Sequence, residues 1–398
     1  MPELVSFAWN EHPHTCPVVE ALGGTISIEI ATDHGRPSRT NVPVLEMSRP
    51  GSRRYWCGSY AEPGGEGIYL LERQGEGGTL RVVGLVAETT SPSFLAMHPK
   101  RRVLYAVLEE EVGQLEAFTV YESGELISLA RAPSLGAYPC HLTVLPQTGA
   151  VAAANYGSGE VVVVPTDTRG ALRARAAVSL AGQGHGPNTD RQDGPHAHAV
   201  MLAPDGHILA VDLGADLVRV FTEDASVPTL RLVSEVQLPP GGGPRHLAFG
   251  PRPFVYVLLE LTSSVAVLRA GDSYAQLSFL DEFPAFVDPV PGGTLAAEIA
   301  YQPPTGVLYV SLRGPDRICV LGTEDDGRRL TILQEEPSGG RGPRHFCIDG
   351  EMMYIANEQS NDITTLRVRP SDGRLAPTGC GAPVPAPVCI LPVPVSWP

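Results

Sequence analysis

The heptapeptide Gly243-Pro-Arg-His-Leu-Ala-Phe249 returns later in the chain as Gly342-Pro-Arg-His-Phe-Cys-Ile348. A glycine-rich loop precedes each copy, Pro240-Gly-Gly-Gly243 in one and Gly339-Gly-Arg-Gly342 in the other. A short apolar run, a break and a second apolar run follow each. Looser copies open at Pro92, Pro139, Pro195 and Ala296, so successive intervals are 47, 56, 49, 52 and 47 residues. A period near 50 built from short strands predicts an all-β fold, a β-propeller with one four-stranded blade per repeat. Building a blade does not require a recurring Pro-Arg-His. Function is therefore sought there.

Taken in order, residues 1–50 do not match the repeat. They read as a poorly ordered N-terminal extension with one short strand at Thr25–Ile30, and His12-Pro-His14-Thr-Cys16 within them reads as incidental, not as a metal site. From Arg53 three strands follow, one short of a blade. The fourth stands at the other end of the chain, in Ala386-Pro-Val-Cys-Ile-Leu-Pro392. A C-terminal strand that completes the first blade closes the ring and leaves no long unpaired edge. Residues 51–398 are thus expected to form one seven-bladed propeller. The 43 glycines and 38 prolines recur between apolar runs, where they supply turn geometry.

A formal charge of −15 argues against nucleic-acid and acidic-membrane partners. Against that background, arginines repeated at matching positions suit a small anionic ligand. Seven cysteines without a CxxC pair fit a reducing, cytoplasmic setting, with Cys319 and Cys347 as small core residues. No apolar stretch reaches the ~18 residues of a membrane span, and no secretory signal is visible. The oligomeric state is left open.

In a propeller, register-equivalent residues of successive blades lie on one ring around the channel. His141, His246 and His345 are expected to share such a ring, with Glu298 in the same slot of another repeat and His196 and His198 nearby. One position earlier, Arg245 and Arg344 match. A second ring is expected from the corners Asn155-Tyr156, Asp212-Leu213, Glu260-Leu261, Arg313-Gly314 and Asn357-Glu358, lying over the first. The acidic run Glu109-Glu-Glu111 reads as a solvated corner. A mouth rimmed by His, Arg and Glu suits attack of water on an activated carbonyl. Glu or His would serve as base, and arginine would hold an anion or a developing oxyanion.

The ordered motifs GPHAHAVMLAPDG…VDLGAD, GPRHLAF…LEL, AAEI…LYVSLRGPD and GPRHFCID…IANEQSND resemble the seven-bladed-propeller lactonase family. That family includes bacterial propeller-type 6-phosphogluconolactonases and the fungal carboxymuconate cyclase. The resemblance spans roughly residues 53–395. It implies metal- and cofactor-free hydrolysis of a sugar 1,5-lactone, notably 6-phosphogluconolactone in the pentose phosphate pathway. The family's PH-x-H histidines fall on His196 and His198, its corner glutamate on Glu260 and its corner arginine on Arg313. Departures from the family pattern are Leu259 and Leu312 for two asparagines and Pro315 for a histidine. The resulting expectation gives Glu260, Arg313, His198 and His246 to catalysis. Arg245, Arg344, His345, His196, Glu298, His141 and Glu358 are assigned to substrate binding. Three alternatives stand beside it: a lactonising cycloisomerase of muconate type, a non-catalytic binding platform, and a calcium-dependent lactonase drawing oxygens from Glu298, Asp212, Asn155 and Asn357.

Overall fold

The computed structural model describes residues 53–75, 77–287 and 293–396, together with the strands Val19–Leu22, Thr25–Ile30 and Ser38–Pro43. Met1–Pro50 and Gly51–Pro398 are separate compact units. In the first, the three strands form an antiparallel sheet, with the expected Thr25–Ile30 in its centre. The expected poor order of this segment and the His12–Cys16 reading lie outside the described residues.

The second unit holds seven four-stranded antiparallel sheets. Blades 2 to 7 begin with inner strands Phe94–Met97, Pro139–Val144, Ala197–Leu202, Pro244–Phe249, Leu295–Gln302 and Pro343–Asp349. Blade 1 pairs the C-terminal strand Pro387–Pro392 with Arg54–Ser59, followed by Gly67–Gln74 and Thr79–Glu88. First and last segments thus share one ladder, as the sequence predicts. Among the described residues the helical elements are two 3₁₀ turns, Ala174–Ala176 and Asp325–Gly327. No helix there is long and apolar enough to cross a membrane.

Burial explains the sequence pattern. Second strands such as Val151–Asn155 and Phe254–Leu259 are buried at every position, because neighbouring blades cover both faces. They therefore read as continuous apolar runs without alternation. Outer strands such as Thr229–Gln237 are mostly exposed or half-buried and carry polar residues. The apolar core is divided into seven clusters, one between each pair of adjacent blades.

Closure of the ring makes a clear stability prediction. Ile390, on the C-terminal strand, is 2% exposed and lies in the core between blades 7 and 1 with Tyr55, Tyr354 and Ile363. Ile390→Ala is expected to cost about 2–5 kcal/mol in urea unfolding, the range for a large-to-small core change. A negligible loss would show that this strand does not hold the ring shut.

Candidate active site

Two features of the backbone build the site. The first is a β-bulge near the start of the inner strand, present in six of the seven blades. One extra residue is inserted against the neighbouring strand, which bends the chain and re-aims side chains. The bulged segments carry Cys140, His198, Arg245 and His246, Ala297 and Glu298, Arg344, and Val388. Most of these side chains line a pocket of about 270 Å³, measured to its open mouth, beside Phe94, Glu109 and His345.

The second feature is the residue that follows the second strand of each blade. Its backbone N–H reaches back to the chain entering the inner strand: Glu260 N to Gly243 O at 2.7 Å, Glu358 N to Gly342 O at 3.0 Å, Glu109 N to Ser91 O at 3.0 Å. Tyr60, Tyr156 and Leu213 repeat the arrangement toward Ala386, Tyr138 and His196. Arg313 occupies the equivalent place in blade 6, paired with Leu295. The upper ring is therefore Tyr60, Glu109, Tyr156, Leu213, Glu260, Arg313 and Glu358. This corrects the expected register in blades 3, 4 and 7, where only the second residue of each corner pair belongs to it. Asn155 donates to Ser134 O at 2.8 Å, and Asn357 to Thr364 Oγ1 at 2.9 Å. Asp212 accepts from His196 N at 2.8 Å and pairs with Arg219. These three oxygen donors brace corners instead of converging on the channel, so the calcium set read from the sequence does not assemble. Among the described residues no group of three or more His, Cys, Asp or Glu is placed to hold a metal ion.

Entry into the arginine–histidine strands is held from the preceding blade. Asp216, at φ 53°, accepts from Gly241 N (2.7 Å) and Gly243 N (2.8 Å) just before Arg245. Asp316, at φ 56°, accepts from Gly342 N (2.8 Å) just before Arg344. Gly243 and Gly342 themselves have φ of 66° and 69°, a left-handed turn that glycine adopts without a Cβ penalty. The glycine-rich loops are thus placing devices for Pro-Arg-His.

The predicted ring assembles. His246 Nδ1 lies 3.1 Å from both carboxylate oxygens of Glu298, and His345 Nε2 lies 3.5 Å from Glu298 Oε2. The His141 and His246 ring centroids are 5.3 Å apart, and those of His198 and His246 5.5 Å. The partners set the tautomers. Glu298 places a proton on His246 Nδ1, so Nε2 is the unprotonated nitrogen, and it accepts from Arg245 Nη1 at 3.4 Å. His345 accepts from Ile390 N at Nδ1, so both its nitrogens are engaged. His141 accepts from Val200 N and stacks on Phe94 at 3.9 Å, under the pocket wall. His196 sits apart from the ring, bonded to Tyr156 O (2.8 Å) and Asp193 (3.1 Å), and supports the mouth loop instead of lining the pocket.

Charge is distributed unevenly. Three guanidinium groups surround Glu260: Arg191 at 2.8 Å, Arg245 at 3.1 Å and Arg313 at 3.3 Å. Burial alone would raise the Glu260 carboxyl, yet Arg313, Arg245 and Arg191 overcome it and hold it at about 2. Both of its carboxylate oxygens are engaged by these guanidinium groups, Oε1 by Arg191 and Oε2 by Arg245 and Arg313. Burial lowers the Arg313 guanidinium, with Arg245 and Arg344 opposing its charge, to about 10. On the other side Arg344 donates to Tyr60 Oη, lies over its ring, and faces Glu358 (3.5 Å) and Glu109 (3.9 Å). Glu109 lines the pocket and accepts from Tyr60 Oη at 2.8 Å, so it is not a solvated corner. Burial drives His141, His198 and His246 well below the usual 6.5, helped by neighbouring Arg245 or His246, and lowers His345 as well.

Residues 54–392 match the family model described as lactonase, seven-bladed β-propeller. Over 341 residues the chain is 29% identical to a 6-phosphogluconolactonase of Bacillus subtilis, covering 84% of this chain and 97% of that one. It is 26% identical to the Pseudomonas aeruginosa periplasmic gluconolactonase, with a TM-score of 0.80 over 87% of this chain and all of the other. A protein of Lactobacillus plantarum gives a TM-score of 0.80 at 28% identity, over 86% of this chain and all of that one.

The buried neutral histidines predict how stability responds to acid. In the unfolded chain they take up protons below about 6.5, whereas in the fold they resist, so the native state loses ground as pH falls. The urea midpoint is expected to drop between about pH 7.5 and about pH 5, and to drop less in His198→Gln. Glu260 adds a second fall below its ordinary 4.5, extending toward about 2. A flat profile across the first window would contradict neutral burial of the ring. With its fold, its matched motifs and its ring of histidine, arginine and glutamate accounted for, the chain belongs to the seven-bladed β-propeller lactonase family.

Proposed function

We propose that the protein hydrolyses 6-phospho-D-glucono-1,5-lactone to 6-phosphogluconate, with His246 as general base. One observation carries the reading: a neutral His246, oriented through Nδ1 by Glu298, presents Nε2 beside the buried Arg245 in a pocket that Arg344 also lines. The sugar-lactone class is supported by the Bacillus subtilis 6-phosphogluconolactonase and the Pseudomonas aeruginosa gluconolactonase that the chain resembles. The phosphorylated substrate is supported by the first of these and by the arginine-rich wall. A phosphosugar is membrane-impermeant, which favours a cytoplasmic site of action.

In this mechanism water attacks the lactone carbonyl carbon as His246 Nε2 removes its proton. Glu298 stabilises the imidazolium through Nδ1. The carbonyl oxygen becomes an alkoxide, held by Arg245 and Arg344, whose positive charge precedes the reaction and needs no reorganisation. Collapse of the tetrahedral intermediate breaks the bond from the carbonyl carbon to the ring oxygen, and the imidazolium returns its proton to that oxygen. An open-chain acid leaves, ionised at neutral pH. Guanidinium groups supply the electrophilic assistance, which supports a metal-independent reaction. Glu260 acts here as an anchor that fixes three arginines, not as the base.

The test is hydrolysis of freshly generated 6-phosphoglucono-1,5-lactone, followed through a dehydrogenase that consumes the product, with and without chelator. Turnover well above the spontaneous rate is expected, unaffected by chelator. His246→Gln is expected to lower kcat by about 10²–10⁴-fold, the usual contribution of a positioned base. Wild-type turnover no faster than spontaneous hydrolysis would overturn the proposal. Ring closure of a muconate without lactone opening would put a cycloisomerase in its place.

A further inference from the structure

The longest interval in the repeat, 56 residues between Pro139 and Pro195, maps to a loop of residues 181–196 between blade 3 and blade 4. No other blade needs it to complete a sheet. The loop is fitted, not loose. Gln192 is fully buried, its Nε2 donates to Leu213 O at 2.9 Å, and its Oε1 accepts from Asn188 N at 3.2 Å. Backbone bonds from Gly186 N to Gln192 O (3.0 Å) and from Gln192 N to Asn188 O (2.7 Å) close it on itself. A Cβ at Gly186 would stand 2.3 Å from the Gln192 amide carbon, so the chain passes as close as glycine allows.

Immediately before that anchor stands Arg191. Its Nη2 lies 2.8 Å from Glu260 Oε1 and 3.1 Å from Tyr156 Oη, and its Nε lies 3.3 Å from the same hydroxyl. Of the two acids beside it in the loop, Asp193 is turned to His196 and Asp190 is exposed to solvent. Arg245 and Arg313 approach Glu260 through the other carboxylate oxygen. One carboxylate therefore faces three guanidinium groups, so these four side chains carry two positive charges in excess, and Arg245 brings the cluster to the pocket lining. Their side chains differ in exposure, at 4% for Arg245, 14% for Arg313 and 33% for Arg191. An anion arriving from solvent meets Arg191 first. The opposite wall, where Arg344 stands against Glu109 and Glu358, carries no such surplus.

We propose that Arg191, carried by the 181–196 loop, is the specificity residue that selects lactones bearing an anionic substituent over neutral ones. The proposal rests on the lactonase reading and refines it. The substituent, a phosphate on the sugar carbon remote from the carbonyl, sits against Arg191 and Arg313, while the reacting carbonyl stays with His246 and Arg245. Arg191 binds and does not touch the reacting atoms.

The experiment compares wild type, Arg191→Gln and Arg191→Lys on 6-phosphoglucono-1,5-lactone and on glucono-1,5-lactone. The ratio of kcat/KM between the phosphorylated and the unphosphorylated lactone is expected to fall roughly tenfold or more in Arg191→Gln, chiefly through KM, as loss of a charge-assisted contact requires. Arg191→Lys keeps the charge without the fork and is expected to lie between. An unchanged ratio, or an equal loss on both substrates, would overturn the assignment. Calorimetric titration with 6-phosphogluconate and with gluconate decides the point without catalysis. Wild type is expected to prefer the phosphorylated acid and Arg191→Gln to lose that preference; equal preference in both proteins would again overturn it. If wild type hydrolyses neither lactone, the lactonase reading falls, and the titration still decides whether Arg191 recognises the anion.

Discussion

The inner ring of ionisable side chains at the channel mouth depends on one extra residue in each of six inner strands. In a regular strand, successive side chains alternate between faces, and in a propeller both faces belong to the inter-blade cores. No residue of such a strand would point along the channel. The bulge breaks the alternation at the point where the chain enters the blade. Pro244 pairs with Leu259 and Leu247 with Val257, so Arg245 and His246 together oppose a single partner. The same arrangement frees Glu298, Arg344, His198 and Cys140. Blade 2, without a bulge, contributes Phe94, which fills the floor against His141 instead of presenting a charge.

Much of this was legible in the chain, because a repeated motif converts sequence position into spatial position. Pro-Arg-His at 244 and 343 placed His246 and His345 on one ring, and the alignment of Ala296-Ala-Glu-Ile with it placed Glu298 there too. The short apolar run at 386–392 matched the strand that opens other repeats, which gave the closure of blade 1. What was not legible was register at the level of a single residue. Asn155, Asp212 and Asn357 look like corner ligands, yet each ends its strand with the side chain bonded to neighbouring chain segments, Asn155 to Ser134 O, Asp212 to His196 N and Ala215 N, and Asn357 to Thr364 Oγ1. Glu109 was hidden for the opposite reason. It heads a run of three glutamates that looks solvated, and only the ring of backbone bonds, seen in the fold, shows that it is the equivalent of Glu260. Arg191 lies outside the repeat altogether. Its sole trace in the sequence is an interval longer than the others, filled with polar and glycine residues.

The electrostatics follow from the same geometry. A channel mouth gathers one residue from each blade, and here the gathered residues are ionisable in most blades. Taking charges out of water is costly unless they are paired and hydrogen-bonded. Glu260 with its arginines, and Arg344 with Glu109, Glu358 and Tyr60, satisfy that demand on the two sides of the pocket. The histidines between them are kept neutral by the same burial and by the arginines. A neutral imidazole held at one nitrogen by a carboxylate is ready to accept a proton at the other. Structural pairing and chemical readiness are therefore one arrangement: removing an arginine to simplify the charge balance would also change which histidines carry protons.

This coupling constrains how specificity can vary on such a frame. A ring residue is fixed in register by its bulge and shares its partners with two or three neighbours, so exchanging it disturbs the base, the anchor and the anion wall together. A residue on an inserted loop is free of that constraint. Among the described residues Arg191 makes its side-chain hydrogen bonds to the ring with Glu260 and Tyr156, and the blades on either side are complete without it. Side-chain changes in the 181–196 loop can therefore alter the charge met by an incoming ligand while His246, Glu298 and Arg245 keep their geometry. In the proposed mechanism catalysis is tied to the repeat and recognition to its interruption, so that the most repetitive part of this sequence and its least repetitive insertion would bear on different halves of the same reaction.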